Sequence, residues 1–322
     1  IVFEMGEDAQ SAPLLKDILM KSYELGLTTK FTPLSREEYL EWAINKNNSR
    51  YIITVLGRCL TASQIHEVAK VIASYNLNIR TIYRLTHRPL PDDPSRRVCL
   101  EMNVEGAISD RKKMTSDFLE VSSRVVVDIA FQQDNMYYRN RRLVCFDMDS
   151  TLIQTEVIDE LARRAGSGEQ VRAITESAMR GEIDFQESFK RRIKTLAGLP
   201  ESVLREVAES LPLTEGAERL LSALKIYGYK TAIISGGFTY FGQYLQKKLG
   251  IDYVFANELE IKDGRLTGGY VGPIVDGARK AEYLRLLARM EGLSTEQVIA
   301  LGDGANDLMM LNTAGLGIAF QA

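Results

Sequence analysis

Four short segments carry residue types suited to chemistry on a phosphate ester. They are Asp147-Met148-Asp149-Ser150-Thr151, Ser235-Gly236-Gly237, Lys280 within GARKAEYLRLLA, and Gly302-Asp303-Gly304-Ala305-Asn306-Asp307. Carboxylates gathered at one place repel one another unless a hard cation joins them. Mg²⁺ takes oxygen ligands of this kind beside water and a substrate phosphate, and Asp147 and Asp303 can supply them. A carboxylate can also attack phosphorus, giving an aspartyl phosphate that water later cleaves. That makes Asp147 the expected nucleophile and Asp149, two residues on, the expected general acid and base. Lys280, the Ser235 hydroxyl and nearby main-chain N–H groups would neutralise the transferring oxygens. Each residue taken singly has a plainer reading. A strand-end Asp is usually a cap or turn residue, Ser-Gly-Gly makes a good turn, and a helix Lys is usually a solvated charge. The joint pattern, in this order and at the ends of strands, is what argues for chemistry.

The rest of the composition removes competitors. The chain has 322 residues, a formal net charge of −3, 45% hydrophobic and 26% charged residues, which is globular and long enough for two or more domains. Mild acidity offers no field for gathering nucleic acid. Only His66 and His87 are present, far from the four segments in sequence. A Ser-His-Asp or Cys-His hydrolase there lacks its base, and a His-rich metal site is excluded. Three cysteines, Cys59, Cys99 and Cys145, form no C-x-x-C pair. They are expected to be buried, inert thiols in a reducing cytoplasm. No apolar run approaches the roughly 18 residues of a spanning helix. The opening Ile1-Val2-Phe3-Glu4-Met5 reads as a strand cut at its start.

Positioning the four segments requires a sheet. In an open α/β sheet, ligands bind beyond the carboxyl ends of the strands. Apolar runs predict strands at 143–147, 230–235, 253–256 and 297–302, with helices between them, which is a parallel α/β sheet. A long helix-rich insert at about 155–211 exceeds an ordinary crossover and reads as a cap. NELEIKDGRLTGG (257–269) reads as a hairpin turning at Asp263-Gly264. Upstream, strands at 51–57, 78–85, 97–106 and 124–131 and helices at 61–75 and 109–122 give the order β-α-β-β-α-β, the split ferredoxin-like plan; Pro89, Pro91 and Pro94 mark a loop within it. Residues 1–33 repeat part of this unit, Glu4-Met5 matching Glu101-Met102, with a helix from Ala12 to Leu25. Polar connectors are expected at 35–49 and 134–142. The domains are then 1–46, a partial unit with connector; 47–136, a complete unit; and 137–322, the sheet with its cap.

FDMDSTL (146–152), ISGG (234–237), Lys280 and GDGAND (302–307) resemble the haloacid dehalogenase superfamily of phosphatases. Glu156 in QTEVIDELA, MRGEIDFQESFKRRI (179–193), LPLTEGA (211–217) and SGGFTYF (235–241) extend the match to the phosphoserine phosphatase family over about residues 141–320. The resemblance implies a Rossmann-like parallel sheet core with a helical cap after the first strand. It implies hydrolysis of O-phospho-L-serine through an aspartyl phosphate, the last step of L-serine biosynthesis. Asp147 corresponds to the nucleophile and Asp149 to the acid/base. Mg²⁺ would be held by the Asp147 side chain, the Asp149 main-chain carbonyl and the Asp303 side chain, with Asp307 in support. Ser235, Gly236, Lys280 and Asn306 would contact the phosphate or its metal-bound water. Glu156 and Arg192 would take the substrate ammonium and carboxylate, a division that suits a carboxylate and a bidentate guanidinium; charge patterning alone reads KRR (190–192) as a solvated helix face. Met179 and Phe185 would close over the substrate, core packing being the plainer reading. The upstream unit resembles an ACT domain, chiefly through LGRCLTASQIHEVAKVIASYNLNI (56–79), which implies an amino-acid effector and a homodimer. The family usually runs on past Ala322, so the end is expected to be incomplete. A broader phosphatase or phosphotransferase of the same superfamily, and a regulatory amino-acid-binding protein, are the alternatives.

Overall fold

The computed structural model describes residues 11–29, 31, 35, 49–86 and 97–320. The expectations placed on residues 1–10, most of 32–48, the proline loop with His87, and the last two residues lie outside these. The chain forms two compact units, Ile1–Ala130 and Phe131–Ala322.

In the first unit, alternating apolar residues build four strands: β1 (Arg50–Gly57), β2 (Asn78–Arg84), β3 (Val98–Glu105) and β4 (Asp128–Gln133). They pair in the order β2-β3-β1-β4, with β3 antiparallel to both β1 and β2. Helix α1 (Ser11–Glu24) precedes them; α2 (Ala62–Ser74) and α3 (Arg111–Val125) complete the β-α-β-β-α-β order. Ile53, Val55 and Met102 on the sheet and Val68, Met114 and Phe118 on the helices are buried, as period-2 and period-3.6 patterns facing one core require. One boundary differs from expectation. The Val125-Val126-Val127 run reads as strand, yet α3 continues to Val125 and Val126 turns left-handed at φ 56°. Val127 N–H donates to Ser122 O, and Ser122 Oγ donates back to Val127 O. This local closure outweighs the β preference of the valines.

In the second unit, β5 (Leu143–Phe146) has all four residues buried. It pairs in parallel with β6 (Lys230–Phe238) on one side and β9 (Val298–Gly302) on the other. Central position explains its continuous apolar run. Val144 and Phe146 face one core cluster and Leu143 and Cys145 the other. The full order is β10-β9-β5-β6-β7-β8, where β7 is Tyr253–Lys262, β8 Arg265–Val271 and β10 Leu316–Ala319. β8 runs antiparallel to β7 through the turn at Asp263-Gly264, both at positive φ. The short strand β10 has no counterpart among the expected strands. Between β5 and β6 lie four cap helices, α4 (Val157–Ala165), α5 (Gly168–Met179), α6 (Phe185–Lys194) and α7 (Ser202–Ser210), then α8 (Ala217–Ile226). Helices α9 (Thr239–Leu249), α10 (Gly277–Met290) and α11 (Leu308–Thr313) follow the later strands. The fold is α/β with a parallel core sheet, preceded by an antiparallel ferredoxin-like unit. Of the three cysteines only Cys145 is buried; Cys59 is exposed and Cys99 intermediate. Cys59 sits in the turn after β1, where no core forms around it.

Candidate active site

The carboxyl end of β5 delivers Asp147, whose N–H donates to Leu301 O of β9 at 2.8 Å. Its side chain is nearly buried, and Oδ1 accepts from Met148 N–H at 2.8 Å. Lys280, in the first turn of α10, has no exposed surface. Its Nζ lies 3.0 Å from Asp147 Oδ1 and 2.7 Å from Asp307 Oδ1. Burial pushes the Asp147 carboxyl up to about 7, against the opposing charge of Lys280. Burial pulls Lys280 down, but the two carboxylates outweigh it and hold the amine above its ordinary value. A buried charge is tolerable only when paired in this way.

Asp149 lies two residues on, with Oδ1 accepting from Val157 N–H at 3.0 Å at the start of α4. Burial, then the charges of Glu156 and Asp147, raise its pKa well above the usual carboxylate range. The loop between them turns at Ser150, which has φ 55°. Ser150 Oγ donates to Glu156 Oε1 at 3.0 Å. A bridge between Ile153 and Leu213 ties the two cap junctions together. Glu156 reaches solvent at the cavity rim, yet protein crowds its carboxyl. Burial raises its pKa against the Ser150 hydrogen bond, and Asp303 adds to the rise. Arg192 on α6 is held below its ordinary pKa by burial, and its buried Nε has no hydrogen-bond partner among the described residues.

β6 ends in Ser235-Gly236-Gly237, where its register with β7 shifts between Ile234 and Phe238. Ser235 Oγ accepts from Gly237 N–H at 2.9 Å. A Cβ on Gly237 would stand 2.4 Å from Asp149 Oδ2, so only glycine lets this loop approach the carboxylate. Asn257, on β7 and buried, fixes the loop. Its Nδ2 donates to Gly236 O at 2.7 Å, and its Oδ1 accepts from Val275 N–H at 2.8 Å. From sequence alone Asn257 reads as part of a hairpin; it directly follows 253–256, the strand expected there, and so holds the same strand-end position as the other segments.

One cavity is lined by Asp147, Asp149, Glu156, Arg192, Ser235, Gly236, Asp303 and Asn306, with Phe185, Phe189 and Phe238 as apolar walls. Lys280 does not line it; it is buried between Asp147 and Asp307. Met179 is 84% exposed and stands apart from the cavity, whereas Phe185 forms its wall. The Met179 side chain faces water at the end of α5, so the expected pair of lids reduces to one residue.

Asp147, Asp303 and Asp307 bring carboxylate oxygens within 4.8 Å of one another, a set that could hold a metal ion. Their hydrogen bonds divide the work. Asp307 spends both oxygens, on Lys280 and on Gly304 N–H. Thr151 Oγ1 donates to Asp303 Oδ1 at 3.0 Å. Among the described residues no hydrogen bond reaches Asp147 Oδ2 or Asp303 Oδ2, which suits hard oxygen donors to a cation.

Comparisons with known proteins agree with this arrangement. The family model for haloacid dehalogenase-like hydrolases matches residues 144–312, and an ACT domain model matches 49–132. A phosphoserine phosphatase of Archaeoglobus fulgidus is 38% identical over 322 residues, all of this chain and 90% of the relative. A crystal structure of a haloacid dehalogenase family hydrolase from Salmonella enterica serovar Typhi superposes with a TM-score of 0.72 at 33% identity, covering 85% of this chain and 90% of that one. A substrate-bound phosphoserine phosphatase complex superposes with a TM-score of 0.54 at 43% identity, over 56% of this chain and 87% of that one. The chain belongs to the haloacid dehalogenase-like hydrolases, within their phosphoserine phosphatase family, and carries an ACT domain ahead of the hydrolase part.

Proposed function

We propose that this chain hydrolyses O-phospho-L-serine to L-serine and phosphate through an aspartyl phosphate on Asp147, as the last step of L-serine biosynthesis. The observation that carries the reading is a single cavity with a carboxylate cluster at one end and Glu156 and Arg192 on its wall. The substrate has a phosphate, an ammonium and a carboxylate, and the cavity offers a complement to each. The unpartnered buried Nε of Arg192 suits a ligand carboxylate, because a guanidinium in so dry a place gains most from a charged acceptor.

An Asp147 oxygen attacks phosphorus and the bond from phosphorus to the serine oxygen breaks. Asp149, whose pKa burial raises, gives a proton to that leaving oxygen. Asp149 then takes a proton from water as the water attacks phosphorus, and phosphate departs with Asp147 restored. Lys280 holds Asp147 in place and offsets its charge. Ser235, Gly236 and Asn306 receive the phosphate oxygens. Mg²⁺, taken by the Asp147 and Asp303 side chains and the Asp149 carbonyl with Asp307 in support, would supply charge neutralisation to the phosphoryl group.

The domain limits 1–46, 47–136 and 137–322, with the cap at about 155–211, are part of the same reading; the matches at 49–132 and 144–312 support the last two. An amino-acid effector at the ACT unit, a homodimer and a cytoplasmic location are proposed with them. Among the described residues no helix is long and apolar enough to cross a membrane.

The test is turnover of phosphoserine, phosphothreonine and a sugar phosphate, with and without Mg²⁺. Phosphoserine should be preferred, and Arg192→Ala should lower its kcat/KM by about 10²-fold or more, as loss of a buried charged pairing costs roughly 3 kcal/mol. The same change should barely alter the sugar phosphate rate. Equal turnover of all three esters would overturn the specificity and favour the broader phosphatase.

A further inference from the structure

The first turn of α6 meets the core at a junction around Gly236. A Cβ on Gly236 would lie 3.1 Å from the Phe185 ring and 3.5 Å from Val275 O, so the loop backbone sits between the two. The residues next to those two also join. Gln186 Nε2 donates to Asp276 Oδ2 at 2.8 Å across 90 residues of sequence. Asp276 caps α10 with its other oxygen, accepting from Arg279 N–H at 3.0 Å, one turn ahead of Lys280.

The two ends of α6 are held differently. Beyond its carboxyl end, main-chain hydrogen bonds sew the cap to the β7–β8 hairpin: Gly198 N–H to Leu266 O, Leu266 N–H to Leu199 O, and Glu201 N–H to Gly264 O. Phe189, mid-helix, packs on Phe238 and Tyr270. At the amino end the preceding residues Arg180, Gly181, Glu182 and Asp184 are exposed, and Gln186–Asp276 is the one side-chain hydrogen bond from that turn to the core among the described residues. A helix fixed at one end and tied at the other by an exposed hydrogen bond opens at the tied end first.

We propose that Gln186 and Asp276 form a latch that positions Phe185 against Gly236 and so sets how much of the time the cavity is closed around its substrate. Gln186 is a positioning residue and touches no reacting atom. The proposal rests on the phosphoserine reading for its substrate but not for its geometry. Asp276 is held ionised: hydrogen bonds from Arg279 N–H and Gln186 outweigh the upward push of burial. A carboxylate at position 186 would therefore meet a like charge.

The experiment compares Gln186→Ala, Gln186→Glu and the exchange Gln186→Glu with Asp276→Asn. In the exchange, donor and acceptor trade places and the asparagine oxygen can still cap α10. An exposed hydrogen bond of ordinary worth should set the scale: Gln186→Ala raises KM for phosphoserine about threefold to tenfold with kcat not lowered, the pattern of lost uniform binding. Gln186→Glu raises KM further, and the exchange returns it to within about twofold of the unaltered chain. Hydrogen exchange of the amides of residues 184–188 in the ligand-free protein should quicken and recover in the same order. Unchanged KM and exchange in both single variants, or an exchange pair that fails to rescue, would overturn the latch. A kcat that falls with KM fixed would do the same. An unaltered chain that ignores phosphoserine would instead overturn the substrate reading, and the exchange data would still judge the latch.

Discussion

The two units treat charge in opposite ways. Among the described residues every buried polar or charged side chain lies in the second unit, from Arg141 to Asp307, and the first unit buries none. The first is held by apolar alternation on its strands and an apolar stripe on its helices. The second adds to such a core a cluster of Asp147, Lys280 and Asp307, in which the lysine makes the two carboxylates tolerable and they the lysine. Apolar packing is redundant and degrades gradually; a paired buried cluster loses most when the cation its carboxylates share goes. Changes to the buried charges of the second unit should therefore be large and specific, and those to the packing of the first small and confined to stability.

The largest expected effect is at Asp147. Asp147→Asn keeps the shape but removes the attacking charge, and phosphoserine turnover should fall by about 10³-fold or more. Its melting temperature in metal-free buffer at pH 8 should not drop, because burial already disfavours the ionised carboxylate there. A melting temperature well below the unaltered chain's would show that the cluster is a source of stability rather than a cost borne for function.

Lys280 should show the reverse balance. Lys280→Met keeps most of the volume and leaves two buried carboxylates without their cation. Unfolding in urea should register a loss of about 3–5 kcal/mol, the usual result of orphaning a buried charge. Adding Asp307→Asn should recover part of it, and a double variant as weak as the sum of the two would break the view of the cluster as one unit.

Acidity offers a subtler probe. The folded pKa of Asp147, about 7, stands above its ordinary 3.8. The folded state thus binds that proton more tightly. The contribution to stability is fully present below pH 3.8 and is lost as pH rises through about 7. A divalent cation needs the ionised form, so Mg²⁺ affinity should climb with pH by up to about tenfold per unit and level off above about 7. Titration calorimetry from pH 5.5 to 8.5 reads this directly; an affinity flat across that range would exclude Asp147 as a ligand titrating there.

How much of this could be read from residues alone follows the same division. Apolar periodicity located β1–β3 and the central strands, because burial on one or both faces dictates the pattern. It failed at the valines of 125–127, where one left-handed residue ends the helix, and at β10, too short to show a period. The four motif segments led to Asp147, Asp149, Ser235 and Asp303 because strand ends in an open sheet face a common edge. Asn257, the Ser150–Glu156 bond and the Gln186–Asp276 bond depend on pairings between distant segments, which spacing along one chain does not record. Lys280 was legible as a participant, but its place between two carboxylates, away from the cavity, came only with the packing.

The smallest effect tests the quiet half of the comparison. Thr61 caps α2: its Oγ1 accepts from Gln64 N–H at 3.3 Å, while Gln64 Oε1 accepts from Thr61 N–H at 2.9 Å. Gln64 also donates to Val125 O at 2.9 Å, so the start of α2 is tied to the end of α3. Thr61→Ala removes the hydroxyl and its bonds with Gln64, leaving those from Thr61 N–H to Gln64 Oε1 and from Gln64 Nε2 to Val125 O, which should cost about 1 kcal/mol, the ordinary worth of a cap. Hydrogen exchange of the α2 amides should speed up by roughly fivefold, the same energy read as an equilibrium for opening. Phosphoserine turnover, measured with the substrate saturating, should stay within twofold. A rate that fell together with the protection of α2 would mean that the first unit's packing feeds the charged cluster of the second, and the contrast drawn between them would then describe where charge is buried but not where function is set.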